Sequence, residues 1–178
     1  MMDEIFLRAL EPDDFPLTHQ WHADQELYQT LVGPFRFVSL DAEKEYLEKR
    51  ARYSNQEINL VICLVAESRP IGMISLREID WLARKAHLTG IFIGEAAFRN
   101  RGYGSAALAL LLRHCFEDLG LNRIWTLVLS DNQPSIRTFE KCGFQVEGCL
   151  RQHAFKGSQF KDVLLLGLTD DQFAGHRA

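Results

Sequence analysis

Leu108, Leu111, Leu112, Cys115, Phe116 and Leu119 fall at i, i+3, i+4, i+7, i+8 and i+11, the stripe of a helix laid on a sheet. Arg113, His114, Glu117 and Asp118 take the opposite side, and Gly120 fits the position just past the helix end. Apolar strands flank this helix, about Lys85–Gly94 before it and Arg123–Leu129 after it. Strand, helix and strand in succession imply a parallel pair. The preceding chain reads differently. Asn59–Glu67, Ile71–Trp81 and Lys85–Gly94 are joined by the short turns Ser68-Arg69-Pro70 and Leu82-Ala83-Arg84, the mark of an antiparallel meander. Ile5–Leu10 reads as a first strand, and Pro12 starts a helix that runs through Trp21 to about Asp24. Pro34 breaks the chain before a second helix, roughly Asp41–Tyr53, with Ser39 as its N-cap. Pro134 suits the first turn of a short helix ended by Gly143. Phe144–Phe155 and Phe160–Leu168 then form a hairpin around Lys156-Gly157-Ser158. The class is α/β, with a mixed, mostly antiparallel sheet and flanking helices.

No repeat, low-complexity tract or linker divides the 178 residues, so one domain is expected. A formal charge of −4 argues against broad nucleic-acid binding. The longest apolar runs, Leu60–Ala66 and Ala106–Leu112, have seven residues each, far short of the ~20 of a membrane helix. Asp3, Glu4, Arg8 and Glu11 interrupt the N-terminus, unlike a secretory signal. Cys63, Cys115, Cys142 and Cys149 form no CxxC and read as buried thiols in a reducing cytoplasm. The six histidines are dispersed and no cluster has metal-ligand spacing. Charge is uneven: residues 1–90 carry a net −5 and residues 91–178 a net +1. These are solvated faces, or else an anion is handled by the second half and a cation by the first.

The segment Arg99-Asn100-Arg101-Gly102-Tyr103-Gly104-Ser105-Ala106 joins a strand to the strongest helix in the chain. Its glycines let backbone N–H groups converge, the helix N-terminus adds positive potential, and arginines supply charged donors. That chemistry suits a pyrophosphate. A P-loop is excluded, because no Gly-Lys-Ser/Thr is present. Gly102-x-Gly104-x-x-Ala107 meets a loose dinucleotide fingerprint. About eight residues separate it from the strand, however, and a meander rather than a βαβ unit precedes it.

In this segment the sequence resembles the GCN5-related N-acetyltransferase (GNAT) family. The family's pyrophosphate loop is matched by Arg99-x-x-Gly102-x-Gly104, and its strand–Asn–helix–Gly-Phe element by Val128, Asn132, Ser135, Gly143 and Phe144. Leu7-Arg8-Ala9-Leu10, Asp13-Asp14 and Trp21 look like the opening of the branch that acetylates ribosomal-protein N-termini and polyamines. Glu147–Gln152, Phe155 and Asp162-Val163 look like its closing hairpin. The resemblance implies a single GNAT domain over residues 1–178: acceptor-side helices and meander over about 1–90, an acetyl-CoA core over about 91–145, and a hairpin over about 144–168. It implies a sheet splayed in the middle, where acetyl-CoA pairs with backbone near Phe92, Ile93 and Gly94. The phosphates would meet Arg99, Asn100, Arg101, Gly102, Tyr103, Gly104 and Ser105, while Asn132 and Ser135 line the thiol end. It implies a cytoplasmic enzyme acting on a primary amine, with no metal, nucleic-acid or membrane partner, and is compatible with a homodimer.

Acetyl transfer needs a neutral amine, a polarised thioester and a proton for the departing thiolate. Many family members draw that proton from a tyrosine where this chain has Phe139, and no tyrosine follows Tyr103. The resemblance to the ribosomal-protein branch, which also lacks that tyrosine and looks to its serine, implies Ser135 as the general acid; alternatively its hydroxyl bonds backbone, as first-turn serines do. The branch's glutamate before the hairpin phenylalanine is Ala154 here. On the amine side, Glu78 and Asp80 share a strand face beside Trp81; they receive an organic cation or form a solvated strand end. Trp21 and Tyr28 would wall an acceptor groove, or Trp21 packs in the core. The alternative function is a non-catalytic acyl-CoA-binding sensor or interaction module.

Overall fold

The computed structural model describes residues 4–177, so Met1–Asp3 and Ala178 of the expected domain lie outside the described residues. The elements are β1 (Ile5–Ala9), α1 (Phe15–His22), α2 (Gln25–Thr30), α3 (Leu40–Arg50), β2 (Ile58–Leu64), β3 (Pro70–Asp80), β4 (Lys85–Ile93), α4 (Tyr103–Arg113), β5 (Arg123–Leu129), α5 (Gln133–Lys141), β6 (Gln145–Lys156), β7 (Gln159–Thr169) and α6 (Asp170–Arg177).

Side-chain caps set the helix starts. Ser39 accepts from the Ala42 N–H at 3.2 Å and opens α3, as its position foretold. Asp24 accepts from the Leu27 N–H at 3.0 Å, so the expected single helix to Asp24 instead ends at His22 and a second one, α2, begins. The helical stripe of α4 continues through a wider π turn at His114–Asp118, which keeps Cys115 and Phe116 buried. Gly157 and Ser158 both adopt positive φ, 53° and 62°, a two-residue hairpin turn. Lys156, expected in the turn, is therefore the last residue of β6. Helix α6 follows β7 without a break and carries none of the strong apolar period of α4.

The strands form one sheet in the order β1-β2-β3-β4-β5-β7-β6. Among the described residues, β4 and β5 are the parallel pair and the other neighbours are antiparallel. Their ladder is short, running from Lys85 with Arg123 to Leu88 with Thr126. At its end the buried Thr126 hydroxyl donates to the Leu88 carbonyl at 2.8 Å. Beyond it the two strands part.

Alternation along β2 and β3 sorts the core into two layers. Ile62, Ile74 and Leu76 pack under Leu108, Leu111 and Leu112 of α4, while Val61, Cys63 and Met73 pack against Trp21 and Leu47 on the other face. Each such side chain contributes about 1.5–3 kcal/mol on burial, so both helical layers hold the sheet from which the site opens. Two cysteines depart from expectation. Cys142 is only half-buried just past the end of α5, and Cys149 is exposed because β6 is the sheet's edge strand and much of it faces solvent. Among the described residues no helix is long and apolar enough to cross a membrane.

Candidate functional site

The parting of β4 from β5 leaves a wedge whose backbone groups have no neighbouring strand. Two cavities open onto it, of about 580 Å³ and 460 Å³. Thr30, Leu31, Ile91, Phe92, Asn132 and Ser135 line both. The wedge is thus a passage between two chambers.

The smaller chamber is bounded by the glycine loop and α4. Gly102 takes φ +90° and Asn100 φ +59°, left-handed values that turn the loop into the helix. No side chain caps α4, so its first-turn N–H groups point outward with the helix dipole behind them. A Cβ built on Gly104 meets nothing within 4 Å, so that face is open to a ligand. Phe92, Ile93, Asn100, Gly102, Tyr103, Gly104 and Ser105 all line this chamber, together with Asn132 and Ser135. The Tyr103 ring itself is buried beside Phe98.

Three residues expected at the cofactor have partners within the protein. Arg99 borders the chamber, but its guanidinium is committed to the protein. It donates to the Ile93 carbonyl at 2.9 Å, the Gly94 carbonyl at 2.7 Å and the Asp24 carboxylate at 2.5 Å. It ties the end of β4 to the start of α2. Arg101 is exposed and lies over the Phe98 ring, 5.9 Å from its centroid. Gly94 lines neither chamber, because the Trp21 ring covers it where a Cβ would stand.

The larger chamber lies among α1, α3, β3 and the segment after α2. His22 and Glu43 meet there, Nδ1 to Oε1, at 2.8 Å. Glu43 is 2% exposed. Burial pushes its carboxyl up, but the hydrogen bond and charge of His22 and a bond from Thr18 outweigh this and hold it below the ordinary range. An ionised carboxylate only accepts, so Nδ1 carries the proton and Nε2 is left as the basic atom. Tyr28 and Tyr46 stand edge-on to the His22 ring, at 6.3 Å and 6.4 Å. Nothing in the earlier motifs singled out this dyad. Its trace in the sequence is a carboxylate one turn before Leu47, on the buried face of α3.

The chamber's roof is fastened from two sides. Lys156, buried at the end of β6, donates to the Tyr28 carbonyl at 2.7 Å and to the Gly33 carbonyl. Asn132 donates to the Thr30 carbonyl at 2.9 Å while capping α5 through Ser135 N–H at 3.2 Å. The Ser135 hydroxyl itself makes no hydrogen bond among the described residues and faces the passage. Phe139 is buried against Phe144 and lines the larger chamber with a ring that carries no proton.

Of the expected acceptor residues, Tyr28 lines the chamber. Trp21 does not; it is core, with its indole N–H donating to Glu95 at 3.3 Å. Glu78, Asp80 and Trp81 lie at the far end of the sheet, where Asp80 pairs with Lys85. There they line a separate depression with Gln56 and Glu57, which meets the larger chamber only at Arg77. A bulge with Glu78 at φ +52° shifts the ladder between Arg77 and Asp80, and Glu78 and Asp80 still flank the buried Ile79. Asp80 is spent on the turn, accepting from the N–H groups of Leu82 and Ala83, and Trp81 donates to the Asn55 carbonyl. Among the described residues no group of three or more His, Cys, Asp and Glu gathers as a metal site would.

The sequence model of the acetyltransferase (GNAT) domain matches residues 4–145. The chain is 28% identical over 165 residues to the L-amino acid N-acetyltransferase AaaT of Escherichia coli, covering 91% of this chain and 96% of that protein. It is 27% identical over 163 residues to the spermidine N(1)-acetyltransferase of Vibrio cholerae, covering 92% and 91%. The fold superposes, with a TM-score of 0.87 and 24% identity, on a crystal structure of Vibrio cholerae spermidine N-acetyltransferase in complex with CoA and spermine, covering 96% of this chain and 98% of that one.

Proposed function

The chain belongs to the acetyltransferase (GNAT) domain family and is an acetyl-CoA-dependent N-acetyltransferase, and we propose that it joins its two substrates through the wedge between β4 and β5. One observation carries this reading: the two chambers share a lining of β4, Asn132 and Ser135. The smaller one fits the CoA half. Its uncapped helix start and open glycine suit a pyrophosphate, and the unpaired edge of β4 suits an extended, amide-bearing arm. Asn100, Gly102, Gly104 and Ser105 would hold the phosphates by backbone, with Arg99 holding β4 in place behind them. Bound there, acetyl-CoA supplies an activated acyl group on a thiol leaving group.

The larger chamber fits the amine. His22, held by Glu43, takes one proton from the substrate ammonium, leaving a lone pair on nitrogen. The new C–N bond forms as the C–S bond breaks, and Ser135 passes a proton to the departing sulfur, regaining one from the nitrogen. The ammonium so loses two protons, one through His22 to solvent and one to the thiol. Phe139 offers no proton and the Thr30 hydroxyl donates to the Leu27 carbonyl at 2.7 Å, which leaves Ser135 as the unengaged hydroxyl at the passage. Free cysteines at four positions fit a reducing, cytoplasmic setting.

The test is a thiol-release assay with acetyl-CoA and a panel of primary amines, with the acetylated product identified by mass. Amine-dependent release of CoA thiol is expected. Saturable CoA binding with no turnover on any amine would return the chain to the sensor alternative.

A further inference from the structure

We propose that the larger chamber carries a carboxylate subsite built on Arg77, with Arg36 at its rim, so that the acceptor is a small amine bearing its own carboxylate rather than a polyamine. This rests on the acetyl-transfer reading above.

The charged lining is one-sided. Arg36, Arg50, Arg77, His22 and His87 line the chamber, and no Asp or Glu does. A polyamine would need carboxylates in that lining, and those nearby stand outside it; Glu78, in the adjoining depression, lies 3.9 Å from the His87 Nδ1. Glu43 holds His22 at 2.8 Å, and Glu57 holds Arg50 at 2.9 Å. Arg77 and Arg36 have no ion-pair partner among the described residues. Arg77 meets only a neutral group, donating to the Tyr46 hydroxyl at 3.1 Å.

Unsatisfied atoms mark the same place. The Arg77 Nε and the His87 Nδ1 are buried without a hydrogen-bond partner among the described residues. They belong to facing residues, since Arg77 of β3 pairs with His87 of β4. Buried polar atoms are nearly always satisfied, and a lone guanidinium N–H is costly to leave bare. The His87 ring is pinned flat on Trp125, centroids 3.6 Å apart, and burial pushes its pKa down. Glu78 works against that shift, and in its neutral form the ring beside Arg77 donates one N–H. A carboxylate oxygen accepts from both, and the planar guanidinium matches a carboxylate's two oxygens. The location also suits an acceptor: His87 immediately precedes Leu88, the last residue of β4 laddered to β5.

The test compares L-amino acids with their own α-carboxamides and with spermidine, using acetyl-CoA and thiol release. The expected result is a kcat/KM at least about tenfold higher for the acid than for its amide. Arg77→Gln should bring that ratio close to one, and Arg77→Lys should restore part of it. The ratio is read within one preparation, so a loss of folded protein does not move it. An amide as good as its acid, or spermidine preferred over every amino acid, overturns the subsite while acetyl transfer stands. Absence of thiol release with any amine removes the acetyl-transfer reading, and the subsite with it.

Discussion

His22 at the end of α1 and Glu43 in the first turn of α3 lie 21 residues apart and meet at 2.8 Å at the wall of the larger chamber. The carboxylate fixes the tautomer and supports positive charge on the ring when a proton arrives. His22→Gln should lower kcat by roughly 10²-fold with little change in the KM for acetyl-CoA. Glu43→Gln should lower it less and displace the pH profile of kcat. Steady-state kinetics across pH checks both; a His22→Gln enzyme with wild-type kcat would remove the base from the scheme.

Ser135 occupies the passage with an unengaged hydroxyl. Ser135→Ala should cost roughly 10²-fold in kcat without lowering thermal stability, since the hydroxyl holds no other part of the chain. A fall in Tm with unchanged turnover would mark it as a structural residue.

Gly104 separates ligand binding from folding. Within α4, Gly104→Ala removes backbone freedom at no steric cost to the protein, a gain of about 0.5–1 kcal/mol. The added methyl projects where the phosphates are placed, so the KM for acetyl-CoA should rise. Gly94→Ala should do the reverse in kind. Its Cβ would enter the Trp21 ring and destabilise the fold by about 1–3 kcal/mol, as thermal denaturation would show.

Acid should unfold the protein through a few carboxylates. Burial pushes Asp14 up, but two hydrogen bonds from Arg8 and one from the Glu11 N–H bring it below its ordinary value. The Leu27 N–H and then Arg99 lower Asp24, and Arg123 lowers Glu147. A carboxyl depressed in the folded state stabilises above its unfolded pKa and loses that contribution as pH falls through the folded one. The Tm should therefore be nearly flat near neutrality and drop below about pH 5. Asp14→Asn should lower the neutral plateau and shallow the acid limb; an unchanged acid limb would remove Asp14 from the balance.

The frame of the fold was legible because its signals are local. The α4 stripe, the short turns of the meander and the Ser39 cap each depend on residues a few positions apart, and β5 ran as read. The loop was legible for a similar reason, since glycine spacing at a helix start is a local pattern. The acceptor side was not. His22, Arg77 and His87 come from three elements whose meeting depends on sheet order. Glu78 and Asp80 do gather with Trp81, but in a depression at the far end of the sheet rather than at the chamber. The partners of Arg99 were not legible, because sequence gives a charge without them, and Asp24 is 75 residues away. The acidic first half suggested a cationic acceptor, yet its carboxylates face outward or bind arginine and histidine.

Amide hydrogen exchange with and without CoA tests the central placement most directly. Protection should appear in residues 89–94 and in 102–105 at the start of α4, and residues 78–82 at the far end of the sheet should exchange as before. CoA binding that leaves 89–94 and 102–105 unprotected, or that protects 78–82 instead, would contradict the wedge between β4 and β5 as the place of transfer.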